Sequence, residues 1–456
     1  MKKRLLLYWG LTISCISQSY SVEINGIYYD LYSNGYQAEV VKSPDNNRYR
    51  GNIDIPSTIT YEGTTYDVTI IGYGAFEQCK DVTSISIPNS VTEIGPRAFW
   101  GGVFKTMEIP NSVAYIGSLA FNNCYNLETI TMGDGIKSIG ESAFMNCSNL
   151  KKVIVKDLVT WCDILFESRT SNPLHYSNRL YNNENTEITE LIIPDGIKTI
   201  RQFTFCSCKY ISNIKFPNSV EVIEVNAFQN CDGLTNIIIP DGVKSLSGFS
   251  YCSNLTSVSI PNSVTDIANS AFSWCPALTS VVVPNSVTWI HGYAFIGCEG
   301  MKSITLGSGV KTLDNNAFYK CYALSDLYCY AENIPLTRDD PFDKSIIQKT
   351  TLHVPEESLE KYKTIEPWKS FKDIVALNSS GISNSPTYIV KVQSNGGQLT
   401  IEGVNNGEVI EVYSMDGTKR GFAISKNGVA QINTDLKSGN IGIVKINNKS
   451  VKVIIK

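Results

Sequence analysis

The chain has 456 residues, 43% of them hydrophobic and 18% charged, with a formal net charge of −4. This length is sufficient for more than one folded domain. The acidic balance argues against a nucleic-acid ligand, because phosphate binding requires concentrated Lys and Arg. Electrostatics instead favour a neutral or cationic partner.

The N-terminus has the architecture of a secretory signal. Lys2-Lys3-Arg4 precedes an apolar run, Leu5 to Ile16, that is too short to span a bilayer, and small residues follow it. We therefore expect residues 1–21 to be a signal peptide and the mature protein to be secreted or attached to the outer surface. A lipid-attachment cysteine at Cys15 is the alternative, although Thr12 is a poor residue three positions before it.

Residues 22–70 are predicted to form an N-terminal β cap. Ile24-Asn-Gly-Ile27 and Tyr61-Glu-Gly-Thr-Thr-Tyr66 read as strands joined at Asn-Gly and Glu-Gly turns. Such a cap would cover the exposed end of the repeats that follow.

A periodic phenylalanine marks residues 71–350. Successive intervals are 21 to 23 residues, apart from one of 61, and nine of the ten have a cysteine three positions later. A self-similar unit of this length indicates a solenoid, in which each coil buries its apolar side against its neighbours. The ten are Phe76, Phe99, Phe121, Phe144, Phe205, Phe228, Phe249, Phe272, Phe295 and Phe318.

One coil shows how the unit is built. Leu255, Val258 and Ile260 fit a Leu-x-x-Leu-x-Leu pattern that ends in a short parallel strand. Pro261 removes an amide that strand pairing would need, so the strand should stop there. The later Ala-Phe-x-x-Cys stretch is predicted to be one helical turn facing inward.

The repeated sequence pattern closely resembles the repeats of the BspA-like leucine-rich repeat family of bacterial surface proteins, over about Ile53 to Leu377. The resemblance implies a right-handed leucine-rich repeat solenoid with a parallel β-sheet, a surface location and a role in adhesion.

Thirteen cysteines in an exported protein would ordinarily suggest disulfides. The period favours free thiols, because side chains at one position of successive coils point the same way into the core and cysteine suits a small buried site. We expect a ladder of free thiols. Cys162, Cys206 and Cys329 have no clear assignment.

The 61-residue interval contains an insertion. We expect residues 156–193 to form an enlarged coil whose aromatics plug the core, with a separate binding loop as the alternative. Residues 351–377 resemble the family's closing strand and helix, and residues 378–387 read as a linker.

Residues 388–456 change to the alternating pattern of a small antiparallel β-sandwich. The stretch from Val412 to Gly417 and the closing strands resemble the C-terminal sorting domain of type IX secretion in Bacteroidetes. The usual Gly-x-Tyr is missing, since Gly439-Asn-Ile441-Gly442 lacks the aromatic.

Catalysis has little support in the sequence. The three histidines, His175, His291 and His353, are scattered, and no recognised catalytic or metal motif occurs. Cys206-Ser-Cys208 is better explained as a ladder position with a neighbour than as a zinc site, which needs four ligands. We expect no enzyme activity, no cofactor and no metal.

We therefore predict a monomeric, non-catalytic adhesion or binding module for protein ligands, with glycan capture as the alternative and a polysaccharide-degrading enzyme as a remote one. Outward sheet positions are hydroxyl-rich, and aromatics concentrate in neighbouring coils, where they could anchor a protein or stack on a sugar. Packing against adjacent turns is the competing interpretation of these aromatics. The candidate binding residues are Tyr251, Trp274, Trp289, Tyr293, Tyr319, Ser257, Ser280, Ser303 and Tyr328.

Overall fold

The structure is a computed structural model that describes residues 21–44, 49–377 and most of 391–454. Within the last range, residues 396–397, 403, 405–406, 415–417, 427, 437–440 and 447–448 lie outside the description. Residues 1–20 of the predicted signal peptide, the predicted linker at 378–387 and residues 415–417 of the stretch from Val412 to Gly417 therefore lie outside the described residues. The chain divides into two compact units, one running to Leu234 and including Ser247–Cys252, the other comprising Thr235–Leu246 and Ser253–Lys456.

The first unit begins with a mixed sheet that continues into the coils. Its strands, in spatial order, are Ser21–Ile24, Ile27–Tyr32, Gln37–Val40, Thr64–Ile71, Glu93–Ile94, Tyr115–Ile116, Ser138–Ile139 and Leu165–Phe166, with Thr58–Tyr61 paired to Thr64–Ile71. Both predicted hairpins are present: Asn25 and Gly26 turn with positive φ, as do Glu62 and Gly63.

The remaining strands of this unit are parallel. They are Gly51–Asp54 with Val82–Ser86; Thr106–Glu108, Thr129–Met132, Lys152–Val155 and Leu180–Tyr181; Glu190–Ile192 with Asn213–Lys215; and Thr199–Ile200 with Val222–Ile223. Its helices are Leu158–Asp163 and Leu174–Ser177, with a 3-10 turn at Arg169–Ser171.

The second unit repeats the pattern. Its parallel strands are Asn236–Ile238 with Ser257–Ser259; Ser245–Leu246, Asp266–Ile267, Trp289–Ile290, Thr312–Leu313 and Leu336–Thr337; and Ser280–Val283, Ser303–Leu306, Asp326–Cys329, Thr351–Val354 and Asp373–Ala376. Helices Lys344–Ile347 and Leu359–Tyr362 and 3-10 turns Glu356–Ser358 and Trp368–Ser370 lie near its closing strand. The leucine-rich repeat solenoid expected from the sequence is thus confirmed.

The stretch around each phenylalanine differs from the helical turn we expected. It is a run of tight turns in which the residue two positions after each phenylalanine has a left-handed backbone, with φ between 58° and 73°. These residues are Gln78, Gly101, Asn123, Asn146, Ser207, Asn230, Tyr251, Trp274, Gly297 and Lys320. Their amides point out of the coil, so Gln78 donates to the carbonyl of Trp100 in the next coil, at 2.7 Å. A helix would satisfy these amides internally, whereas the turns use them to join coils.

The phenylalanine rings form a stacked spine inside each unit. Successive centroids lie 5.0 to 5.7 Å apart with interplanar angles of 2° to 21°. Each ring is almost fully buried. Tyr49 packs on Phe76 at the front, and Trp368 and Phe371 meet Phe342 edge-on at the back. Aromatic side chains thus cover the first ring of the stack in the first unit and the last ring of the stack in the second.

Every cysteine among the described residues is buried and in no disulfide, as the ladder prediction requires, and this includes Cys162, Cys206 and Cys329. Six of the nine ladder thiols also donate to the phenylalanine carbonyl of the preceding coil, at 3.2 to 3.5 Å. The same carbonyl accepts the cysteine amide of its own coil, as in Phe121 and Cys124. Both acceptor sites of the carbonyl are thus occupied inside the core.

In the coil of Phe99 the ladder position is Gly102 and not a cysteine, and the packing around it gives the reason. A Cβ atom at Gly102 would lie 2.5 Å from the ring of Phe104, and that ring meets Phe99 edge-on at 5.9 Å. Phe104 therefore fills the space that a ladder cysteine takes elsewhere.

The C-terminal residues form two small antiparallel sheets, as the sequence predicted. One contains Lys391–Asn395, Gln398–Glu402 and Val429–Asn433, and the other Lys419–Ile424, Val409–Ser414, Ile441–Ile446 and Lys449–Ile454. Leu399, Ile401, Ile410, Val412 and Ile432 belong to their shared core. The strand Lys419–Ile424 was absent from the sequence interpretation.

We predict that the ladder thiols are inert in the folded protein. Burial raises the pKa of Cys124 and of Cys321 to about 12, so almost no thiolate exists at pH 8. An aromatic disulfide reagent should therefore fail to label the native protein, whereas the unreduced protein in denaturant should yield every thiol. Recovery of fewer than half of them would show that bridges form.

Candidate functional site

The outer face of one sheet in the second unit aligns several predicted binding residues. Parallel pairing places Ser280, Ser303 and Asp326 in one column and Val282, Thr305 and Tyr328 in the next. Val282 is 59% exposed although it is apolar. Ser257 lies on the separate pair of strands Asn236–Ile238 and Ser257–Ser259. The face is thus a polar strip with an exposed apolar side chain on its first strand, Ser280–Val283.

A small cluster ends this strip. The His353 ring stacks on Tyr328 with centroids 4.3 Å apart, and its Nε2 lies 3.0 Å from Asp326 Oδ1. Burial opposes ionisation of Asp326, but hydrogen bonds from His353 and Ser325 outweigh it and lower the pKa of that carboxyl. Burial raises the pKa of Tyr328. Tyr328 is therefore held rigidly and not as a free surface side chain.

Three of the predicted aromatics occupy strained backbone positions. Tyr251 and Trp274 lie two residues after a phenylalanine, and Tyr293 lies two before one; all three have φ between 58° and 60°. A left-handed backbone costs about 1–2 kcal/mol for a residue with a side chain. Bulky residues in this conformation are often found at functional positions, so the geometry keeps these aromatics as candidates.

Trp274 packs along the turns of the following coils. A Cβ atom at Gly297 would lie 2.6 Å from the Trp274 ring, and the Lys320 ammonium lies 5.0 Å from the ring centroid. Gly297 therefore allows the indole to approach the backbone. The half-buried Tyr319 contributes a carbonyl that accepts from the Gly297 amide at 2.9 Å.

Trp289 belongs to a different group of contacts on the second strand of its coil. Its ring stacks on His291 at 4.4 Å, its Nε1 donates to Asp314 at 2.9 Å, and Arg338 lies 5.0 Å from its centroid. The predicted aromatics are therefore distributed over the strands and the turns, Tyr251 is in the first unit, and Trp289 has a structural role. Their part in binding remains a prediction.

The insertion forms a coil of its own in the first unit. Phe166 pairs with Ile139 and Tyr181 with Ile154, so the insertion supplies both strand positions of a repeat. Trp161 is 1% exposed and its Nε1 donates to the Thr204 carbonyl at 3.0 Å. An indole thus fills the core in place of the missing phenylalanine.

The same insertion also shapes the outer sheet face, which sequence reasoning missed. An open depression of about 390 Å³ lies there. Its lining residues are Thr106, Met107, Glu108, Thr129, Thr131, Lys152, Ile154 and Glu184. The Lys152 ammonium donates to the Glu184 carbonyl at 2.8 Å and so fixes the loop against the strands. The one available signal was the suggestion of a binding loop in the insertion.

Among the described residues, no three His, Cys, Asp or Glu side chains are arranged to share a metal ion. No helix in the described part of the chain has the length and apolarity to cross a bilayer.

The pattern of coils has a match among known families. The BspA-type leucine-rich repeat region, in six copies, matches residues 52–171, 177–248 and 247–363. The chain belongs to the BspA-type leucine-rich repeat family. This family comprises surface proteins that are generally non-catalytic, which is consistent with a binding module.

Three solved structures illustrate the likeness of the fold. A leucine-rich repeat protein from Bacteroides ovatus is 24% identical, with 78% of this chain and 100% of that chain covered and a TM-score of 0.44. A leucine-rich repeat protein from Eubacterium ventriosum is 20% identical, with 70% of this chain and 93% of that chain covered and a TM-score of 0.46. The pneumococcal vaccine antigen PcpA is 17% identical, with 78% of this chain and 98% of that chain covered and a TM-score of 0.45. No curated protein matches the chain.

We predict that His175, in the insertion, makes the stability of this BspA-type chain depend on pH. Its Nδ1 is buried without a partner, and burial, then the charges of Arg169 and Lys209, lower its pKa to about 4. The unfolded chain, with an ordinary pKa of about 6.5, binds the proton more readily. Stability from this group is therefore complete above pH 6.5 and falls as the pH drops towards 4.

Denaturant titrations of the wild type and of His175→Gln between pH 7 and pH 4 test this. The wild type should lose stability more steeply than the variant, by at most about 1.4 kcal/mol per pH unit, the limit for one proton. Tyr176→Phe, in the same short helix, should keep the wild-type slope. Equal slopes for the wild type and His175→Gln would contradict the prediction.

Proposed function

We propose that this protein is exported and displayed on the outer surface, where it acts as a monomeric, non-catalytic adhesion module for extracellular proteins. The family membership and the signal-like N-terminus support export. The observation that carries the binding role is the strip of outward residues on the sheet from Ser280–Val283 to Asp373–Ala376.

The strip suits a protein partner because it combines three features. Val282 offers exposed apolar area, the hydroxyls of Ser280, Ser303 and Thr305 lie beside it, and Tyr328 is already immobilised. Tyrosine is enriched at binding hot spots, and a pre-ordered side chain loses little entropy on binding. Interfaces usually combine apolar contact area with neighbouring polar groups, as this strip does.

Binding to a panel of extracellular matrix proteins tests this, using the full-length secreted chain and its variants. Val282→Glu places a charge at the exposed apolar position of the strip and should weaken binding at least about tenfold. Ile192→Glu is the matched control, because Ile192 holds the same column position on a first-unit sheet and is 56% exposed. Equal loss in both variants, or loss in neither, would contradict the proposed strip.

We further propose that the chain comes from a member of the Bacteroidetes and that its C-terminal sheets act as a type IX sorting domain. The support is the resemblance of the segment from Val412 and of the closing strands to that family, together with the compact two-sheet core. The missing Gly-x-Tyr aromatic weighs against it.

Removal of residues 378–456 tests the sorting role. The truncated protein should pass the inner membrane and remain in the periplasm, out of reach of protease added to whole cells. Undiminished digestion of the truncated protein on intact cells would show that sorting does not need these sheets.

A further inference from the structure

We propose that the depression beside the insertion loop binds a neutral pyranose saccharide. The site lies on the outer face of the sheet formed by Thr106–Glu108, Thr129–Met132, Lys152–Val155 and Leu180–Tyr181. It is separate from the strip of the second unit and goes beyond the proposed adhesion function.

The insertion loop builds one wall of this site and is itself ordered. Asn183 Oδ1 accepts from the amides of Asn185 and Thr186, both at 3.0 Å. At the base of the loop Arg179 pairs with Glu187 at 2.8 Å. Together with the Lys152 contact to the Glu184 carbonyl, these bonds give a fixed wall and not a loose tip.

The effect of the wall is visible at Ile154. This residue holds the same outward column as Ile192 and Val282, which are 56% and 59% exposed, yet Ile154 is only 3% exposed. Its strand partner is Tyr181, whose ring lies 5.3 Å from the Lys152 ammonium. The wall thus covers an apolar position that the regular coils leave open, and it turns this part of the sheet face into a depression.

The depression is also lined by threonine hydroxyls that can bind a ligand. Pairing places Thr106 beside Thr129 and Glu108 beside Thr131, so neighbouring groups are about 4.8 Å apart across strands. Within the described residues, the three threonine hydroxyls have no intramolecular hydrogen-bond partner. This spacing is comparable to the span between hydroxyls of a pyranose ring.

The positive and negative side chains at and beside the depression are equal in number. The carboxylates of Glu108 and Glu184 are matched by the ammonium groups of Lys152 and Lys156, and Lys156 pairs with Glu108 at 3.5 Å. A site without net charge does not select a strongly anionic or cationic ligand. Carboxylates make strong hydrogen bonds to hydroxyl donors.

A pyranose matches this combination better than a peptide strand. Its hydroxyls fit the threonines and carboxylates that line the depression. The backbone groups of the floor are already used in the parallel ladder, so a peptide cannot add a strand there.

Saturation-transfer NMR and calorimetry on the full chain test the site, with maltotriose, cellotriose and a galactose trisaccharide at millimolar concentration, and oligolysine as the charged comparison. We expect at least one neutral sugar to bind. Thr131→Val, which keeps the side-chain shape, and Glu108→Gln together should weaken it about tenfold. Asn183→Ala, which releases the wall, should also weaken it.

Thr305→Val is the matched control, since Thr305 holds the Thr131 position on the second-unit sheet, and it should leave sugar binding unchanged. No binding of any neutral sugar, equal loss with Thr305→Val, or binding of oligolysine alone would each overturn the proposal. Val282→Glu should not affect sugar binding, and Thr131→Val should not affect matrix-protein binding. Failure of the saccharide site is therefore distinguishable from failure of the adhesion proposal.

Discussion

The structure depends on how each coil satisfies the phenylalanine carbonyl of the coil before it. Inside an apolar core an unpaired carbonyl costs about 1–3 kcal/mol. Here the carbonyl of Phe99 accepts the Gly102 amide of its own coil and the thiol of Cys124 from the next. The ring of the same residue stacks on Phe121. Hydrogen bonding and packing are thus completed only when coils stack, which joins neighbours cooperatively.

Sequence periodicity predicted the spine, the strands and the buried thiols, because these depend on residue spacing and apolarity. It did not reveal the left-handed turns. Residues as different as Gly101, Asn123 and Trp274 share that backbone, and composition shows the conformation only where Gly or Asn predominates. The thiol as a hydrogen-bond donor was missed for a related reason: burial of cysteine is predictable from apolarity, whereas its acceptor lies in another coil.

The candidate sites were harder still to predict. Trp289 stood out as an aromatic among polar residues, yet its environment includes Arg338, which the chain brings back two strands later. Nothing local in the sequence marks that contact. The depression likewise needs Glu184 to fold back over strands that precede it by thirty or more residues. The repeat pattern predicts which outward position of the sheet a residue occupies. It does not predict whether an irregular segment folds over that position.

This difference has a consequence for where specificity arises in such a protein. Identical coils present identical columns, so a regular sheet face offers a repeated surface with little to distinguish one position from the next. An outward side chain is covered where an insertion interrupts the repeat period. Ile154 is buried beside the insertion, whereas Ile192 on a regular strand is exposed. Because Trp161 is buried inside the inserted coil, that coil keeps an apolar core while the outer loop varies. The insertion therefore changes the outer surface while its own coil keeps a buried core.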